Sequence, residues 1–330
     1  MARQLPPNLV SHFTQALKSY QLSNATFRVL CSLTPSSLSS PSTASPAPQP
    51  PKAVPKRLLV LDSSFNPPTL AHQQMALSAF SEYRQPGSGN RNNGDDDKSR
   101  VLLLLAINNA DKAPKPAAFP QRLAMMYIFA QDLLAATSTS TSTETAGDSD
   151  SSSGDANECE GVDIAVTTEP YFHAKSGAVA SSGFYHHSQE SEPEPVVEQV
   201  YLTGFDTLIR VFDPKYYPSG SMARVLDPFF AHARLRVSMR TDADWGDAAA
   251  QRAYLEGLRT GGLEKVGGKT GWVDRISLVE GRRNGEEEVV SSTKVRAAVL
   301  RRDWDALKKL VSEGVAGWIR REGLYAEDGA

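Results

Sequence analysis

The chain predicts an α/β fold: a Rossmann-like, doubly wound parallel sheet with C-terminal helices and low-complexity insertions. Three observations carry that expectation. The runs 58–62 and 101–107 are continuously apolar rather than alternating, as expected of central strands covered on both faces. Segments of helical spacing stand between such runs, the pattern of parallel βαβ units. After the last predicted strand, 273–279, only helical patterns remain. In sheets of this kind ligands sit beyond the carboxyl ends of the strands, where the strand order reverses.

The elements follow in order. Residues 9–20 place Val10, Phe13 and Leu17 on one helical face, and 27–33 form a short strand. A Pro/Ser/Ala linker leads to the strand 58–62 and the helix 69–83. The strand 101–107 is followed by Pro120 at a helix start and by Leu123, Met126, Tyr127 and Ala130 at helical spacing over 121–135. Residues 162–167 and 200–203 read as strands, the second running into Gly204-Phe205-Asp206 and a helix from Thr207. A strand at 233–239, a helix at 245–258, the strand 273–279 and helices at 293–301, 303–312 and 315–322 complete the chain.

The 330 residues contain four tracts, 34–56, 85–99, 137–160 and 174–196, rich in Ser, Thr, Pro, Gly, Asn and acids. These lack apolar periodicity, so they are expected to stay disordered, unable to offset the entropy of ordering. The expected organisation is therefore an N-terminal helical extension (1–33), a disordered linker (34–56) and one large domain (57–325) carrying the other three tracts as insertions. A net charge of −3 and the lack of a basic run with interleaved aromatics give no support to a nucleic-acid partner. Cys31 and Cys159 make no disulfide framework and fit a reducing compartment, cytoplasmic or nuclear. No apolar run is long enough to span a bilayer, so no membrane partner is expected.

Two short motifs carry the chemistry. The strand 58–62 runs into Ser63-Ser64-Phe65-Asn66-Pro67-Pro68-Thr69-Leu70-Ala71-His72. The turn brings the backbone amides of Ser64 and Phe65 toward a ligand, and the helix that follows presents its positive N-terminus to phosphate. Thr69 and His72, three apart, share a helix face, where His72 can stabilise charge on a transferring phosphate. A lone Thr-x-x-His is ordinarily a capping Thr and a surface His; the surrounding turn chemistry is what raises it to a site. The second motif is Ser291-Ser292-Thr293-Lys294-Val295-Arg296, a capped helix start whose hydroxyls and Arg296 can hold phosphate oxygens. Alone it reads equally as a capped surface helix.

The first motif resembles the (H/T)-x-G-H signature of the nucleotidyltransferase superfamily, and looks most like its nicotinamide-mononucleotide adenylyltransferases. Ser292-Thr293-Lys294-Val295-Arg296 is similar to that family's closing Ser-Thr-x-x-Arg, and Leu202-Thr203-Gly204-Phe205-Asp206 to its Gly-x-Asp segment. The resemblance covers about Leu58 to Tyr325 outside the low-complexity tracts, and the insertions resemble the divergent fungal branch. It implies that ATP, with Mg2+ as cofactor, and nicotinamide mononucleotide are joined to NAD and pyrophosphate by in-line attack on the α-phosphate. His72 and Arg296 are then the catalytic residues. Ser64, Phe65, Thr69, Ser292 and Thr293 line the phosphates, and Gly204 and Asp206 contact the adenosine ribose. Lys112, with Lys115 as its rival, and Arg240 are further phosphate ligands; no resident protein metal site is implied.

The sequence departs from the pattern at Ser63 and Ala71, where members commonly carry Gly. A pyridine-stacking Trp segment is not recognisable, and Glu169-Pro170-Tyr171-Phe172 stands in its place. Two rivals therefore remain: transfer to another phosphate acceptor, such as phosphopantetheine or glycerol phosphate, and an ATP-binding scaffold with weak hydrolysis and a regulatory role. Other features are decoys. The run 261–270 ends in Gly-Lys-Thr but has Leu263 where a P-loop needs Gly. His186-His187 lacks ligand partners at metal spacing, and Asp95-Asp96-Asp97 is expected to be a solvated turn.

Overall fold

The computed structural model describes residues 5–36, 46–84, 98–108, 116–139, 159–186, 196–217, 220–240, 246–280 and 290–326. Among the described residues, seven strands form one sheet: β1 (Phe27–Leu33), β2 (Arg57–Asp62), β3 (Ser99–Ala106), β4 (Val162–Thr167), β5 (Glu198–Gly204), β6 (Ala233–Ser238) and β7 (Ile276–Val279). Their order is β1-β4-β3-β2-β5-β6-β7. All neighbouring pairs are parallel except β1 with β4. The six parallel strands thus carry the doubly wound order in which direction reverses between β2 and β5, the place where such sheets bind ligands.

Among the described residues, ten longer helices cover the sheet: α1 (Leu9–Gln21), α2 (Leu70–Arg84), α3 (Phe119–Thr139), α4 (Phe172–Ser181), α5 (Phe205–Val211), α6 (Met222–His232), α7 (Ala248–Gly257), α8 (Ser292–Leu300), α9 (Trp304–Leu310) and α10 (Glu313–Arg321). The apolar runs of the central strands are explained by this double cover. Leu59 and Leu61 of β2 face a core built with α1, α2, α3 and α8–α10. Leu58 and Val60 face the other core, against α4, α5 and α6. At about 25 cal/mol per Å2 of apolar surface, burying each such leucine contributes roughly 1.5–3 kcal/mol.

Three expectations about organisation need correction. The N-terminal helical extension is, over its described residues 5–33, part of the main domain. Phe13 and Leu17 of α1 enter the first core, and β1 closes the sheet edge antiparallel to β4, from Phe27 opposite Thr167 to Leu33 opposite Val162. The linker 34–56 is structured over 46–56, where a Pro-rich strap hydrogen bonds to β1: Ser32 N donates to the carbonyl of Ala47 at 3.0 Å, and Gln49 N to Ser32 Oγ at 3.0 Å. The tract 174–196 contributes most of α4, and beyond it the buried Tyr185 donates to Asp163 Oδ2 at 3.1 Å. Composition misleads here because small Ala, Ser and Gly residues pack a helix closely without a conspicuous apolar stripe, and one aromatic anchors the turn after it. Residues 85–97 and 140–158 lie outside the described residues, as do Asp95, Asp96, Asp97 and His187. Among the described residues no helix is long and apolar enough to cross a membrane.

Candidate active site

The site begins where β2 ends. The loop 63–69 enters α2 through Phe65, which is fully buried with a left-handed φ of 43°, and through a cis Asn66–Pro67 bond. A left-handed φ is seldom adopted by a bulky residue such as Phe65 unless the surroundings impose it. The imidazole of His72 closes the turn. Its Nδ1 accepts from Thr69 N at 3.0 Å and lies 2.8 Å from Thr69 Oγ1. Nδ1 is therefore the unprotonated nitrogen, and Nε2–H donates to Ser63 Oγ at 3.0 Å. Burial pushes the His72 pKa down to about 4, so the ring is neutral near pH 7. His72 is thus a directed neutral donor rather than a cation.

The second motif docks onto this loop. Ser291 caps α8, its Oγ accepting from Lys294 N at 3.3 Å. Ser292 Oγ donates to the carbonyl of Pro67 at 2.8 Å, and Arg296 Nη1 donates to the carbonyl of Asn66 at 2.8 Å. Arg296 Nη2 also donates to Thr293 Oγ1 at 3.1 Å. Tyr325 Oη adds a bond to Asn66 Oδ1 at 2.8 Å, from a phenol whose pKa is raised by burial. Buried Arg122, whose pKa burial lowers, places its positive charge close enough to act on both Arg296 and Tyr325. Two segments more than 200 residues apart are thereby one structure, and Ser292 and Arg296 hold the loop's carbonyls.

The third segment lies across the switch point. Gly204 ends β5 and precedes α5. A Cβ at Gly204 would stand 2.7 Å from Asp206 Oδ1, so any larger residue there would push that carboxylate from its place over the strand end. Asp206 Oδ1 is 3.6 Å from Arg240 Nη1, which follows β6. The backbone of Arg240 is held by fully buried Gln251 of α7, which accepts from Arg240 N at 3.0 Å and donates to its carbonyl.

The structure therefore brings Ser64, Phe65, Thr69, His72, Ser292, Thr293 and Arg296 to one loop–helix junction, with Gly204, Asp206 and Arg240 at the ends of β5 and β6. Ser64 is exposed, whereas Phe65 is buried with its ring centroid 5.3 Å from that of His72. Lys112 and Lys115 lie outside the described residues. Sequence reasoning missed Tyr325 and the ion pair of Asp62 with Lys175, for which a buried-charge signal exists only in three dimensions. Beyond β4, exposed Tyr171 stacks on His173 at 5.7 Å, with Tyr216 6.2 Å from Tyr171 and Tyr217 6.3 Å from His173. Phe212 stacks on Trp272 in the core. The Gly-Lys-Thr run is no phosphate loop: it follows a helix, and Lys269 is paired with Asp227 of α6 at 2.5 Å. Among the described residues no group of three or more His, Cys, Asp or Glu stands together as a metal site.

A strand–loop–helix at the switch point, fastened by the capped helix that carries Ser292 and Arg296, defines a doubly wound α/β protein with its candidate site at the carboxyl ends of the strands. No family model matches the chain. A Schizosaccharomyces pombe protein named "Putative nicotinamide mononucleotide adenylyltransferase" is 32% identical over 266 residues, covering 80% of this chain and 84% of that protein. The chain belongs to the nicotinamide mononucleotide adenylyltransferase family, a group of nucleotidyltransferases. Structures of Plasmodium falciparum nicotinic acid mononucleotide adenylyltransferase complexed with NaAD and with APC align at TM-score 0.42, with 13% and 11% identity over 83% of this chain and 98% of theirs. The fold assignment rests on this chain's own strand order.

Proposed function

We propose that the chain transfers the adenylyl group of ATP to nicotinamide mononucleotide, giving NAD and pyrophosphate. The observation that carries this reading is the docking of Ser292 and Arg296 onto the Asn66–Pro67 carbonyls beside His72. It gathers two phosphate-binding helix starts at one place. In the reaction a phosphate oxygen of the mononucleotide forms a bond to the α-phosphorus of ATP while the bond to the bridging oxygen of the β-phosphate breaks. Pyrophosphate leaves with that electron pair. The protein forms no covalent bond, so its contribution is positioning and charge stabilisation.

In this reading the His72 Nε2–H turns from Ser63 to a phosphate oxygen. It strengthens as a donor when negative charge grows there and needs no change of protonation. Arg296 and the hydroxyl of Thr293 stabilise the phosphate tail, and the amides of Ser64 and Phe65 hold oxygens at the loop. Asp206 and Gly204 take the ribose, with Arg240 and Lys112 as further cationic contacts. Mg2+ enters as part of the Mg-ATP substrate. The cluster of Tyr171, His173, Tyr216 and Tyr217 offers stacking faces for the base of the acceptor.

The test is to incubate the purified protein with Mg-ATP and nicotinamide mononucleotide, nicotinic acid mononucleotide or a non-pyridine phosphate, and to separate products by chromatography. NAD and pyrophosphate from the first are the expected result. A dinucleotide only from nicotinic acid mononucleotide reassigns the acceptor. ATP binding without any transfer product sinks the reading in favour of a scaffold.

A further inference from the structure

Asp62 and Lys175 form an ion pair at 2.5 Å, with each side chain only 7% exposed. A buried pair is an inefficient source of stability, because desolvating both charges offsets most of their attraction. Its location is more telling. Asp62 is the last residue of β2, and the next residue, Ser63, accepts the His72 hydrogen bond. Lys175 lies in the first turn of α4, where its backbone N donates to the carbonyl of Tyr171 at 2.9 Å, and its Nζ lies 5.5 Å from the centre of the Phe172 ring. The pair joins the start of the phosphate loop to the helix turn that follows exposed Tyr171. Around it, Gln199 Nε2 donates to the carbonyl of Ser176 at 3.1 Å and Tyr201 Oη donates to Gln199 Oε1 at 3.1 Å, so β5 fixes the same turn.

We infer that Lys175 and Asp62 are positioning residues that hold the ATP half and the acceptor half of the site in register. The inference rests on the adenylyl-transfer reading above. In-line transfer is sensitive to displacements of about 1 Å between reactants, which can cost on the order of 100-fold in rate. Breaking the bracket should therefore impair the transfer step while each half still binds its own nucleotide.

The experiment compares Lys175→Met, Asp62→Asn, Lys175→Arg and the double variant Asp62→Asn with Lys175→Met. Each is assayed for melting temperature, for binding of ATP and of nicotinamide mononucleotide separately by calorimetry, and for kcat. The single neutralisations should lower the melting temperature and reduce kcat at least about tenfold, with each Kd within about threefold of wild type. The double variant leaves no unpaired buried charge, so its melting temperature should recover while kcat stays low. Lys175→Arg should regain part of kcat. Recovery of kcat together with melting temperature in the double variant would make the pair merely structural and overturn the inference, as would a loss of binding equal to the loss of kcat. Failure of wild-type protein to form a dinucleotide overturns the transfer reading itself, a separate outcome.

Discussion

At the amino-terminal ends of the strands, Asp163 of β4 is fully buried and saturated. It accepts from Arg100 Nε and Nη2 at 2.6 and 2.8 Å, from Ser32 Oγ at 2.6 Å and from Tyr185 Oη at 3.1 Å. At the carboxyl ends, apart from the buried Asp62–Lys175 pair, the charges are looser. Asp206 and Arg240 are 3.6 Å apart and both partly exposed, and His72 points its one N–H at a small hydroxyl that a ligand oxygen can replace. Both ends use the same residue types. The Asp163 cluster closes its bonds internally and so stabilises; at the other end the tight Asp62–Lys175 bracket holds in place donors whose own partners can give way. The difference separates the part of the sheet that specifies the fold from the part available for chemistry.

The largest effect should come from the open end. His72→Ala should lower kcat per folded molecule by about 100- to 1,000-fold, the usual value of one placed donor, and cost about 1–3 kcal/mol in stability because buried Thr69 N loses its acceptor. Near-wild-type turnover in the folded variant would remove the main support for the site. The closed end should answer in the opposite currency. Arg100→Met strands the Asp163 carboxylate, which should cost about 3–5 kcal/mol in urea denaturation while kcat per folded molecule is unchanged. A fall in kcat without a fall in stability would erase the distinction between the two ends.

Arg296→Lys keeps the charge but loses the fork that reaches both Asn66 and Thr293, so about a tenfold loss of kcat is expected in steady-state kinetics. The pH dependence of stability sharpens the assignment of His72. Its pKa falls from 6.5 to about 4 on folding, through burial. The unfolded chain therefore binds more protons between these values. Stability from this group is present above 6.5 and is lost as pH falls toward 4, by up to about 3 kcal/mol. Burial shifts His12, His173 and His232 the same way, so His72→Asn should flatten the curve of melting temperature against pH without abolishing it. An unaltered curve would mean that the His72 pKa does not change on folding.

The smallest effect concerns residues 140–158, bounded by the end of α3 and by buried Cys159. Replacing them with a short Gly/Ser linker should leave turnover and melting temperature nearly unchanged, since closure entropy depends weakly on loop length. A drop of several degrees on differential scanning calorimetry would show that the tract packs.

The sequence alone determined the central strands and the identity of the motifs. Val101–Leu105 has to be buried on both faces because nothing along it is polar, and that demands helices above and below the sheet. Ser291 caps its helix by local chemistry that the order of residues dictates. Tertiary structure decided everything that depends on long-range partners. β1 joins the edge antiparallel because its free backbone finds β4, and α4 forms in a tract of small residues because two packed surfaces offset its entropy. The tautomer of His72 follows from Thr69 N and Ser63 Oγ meeting at one ring, and the pairing of Lys175 with Asp62 from a helix that the strands bring within reach. Periodicity reports which face of an element is buried; it carries no record of which distant charge will be waiting there.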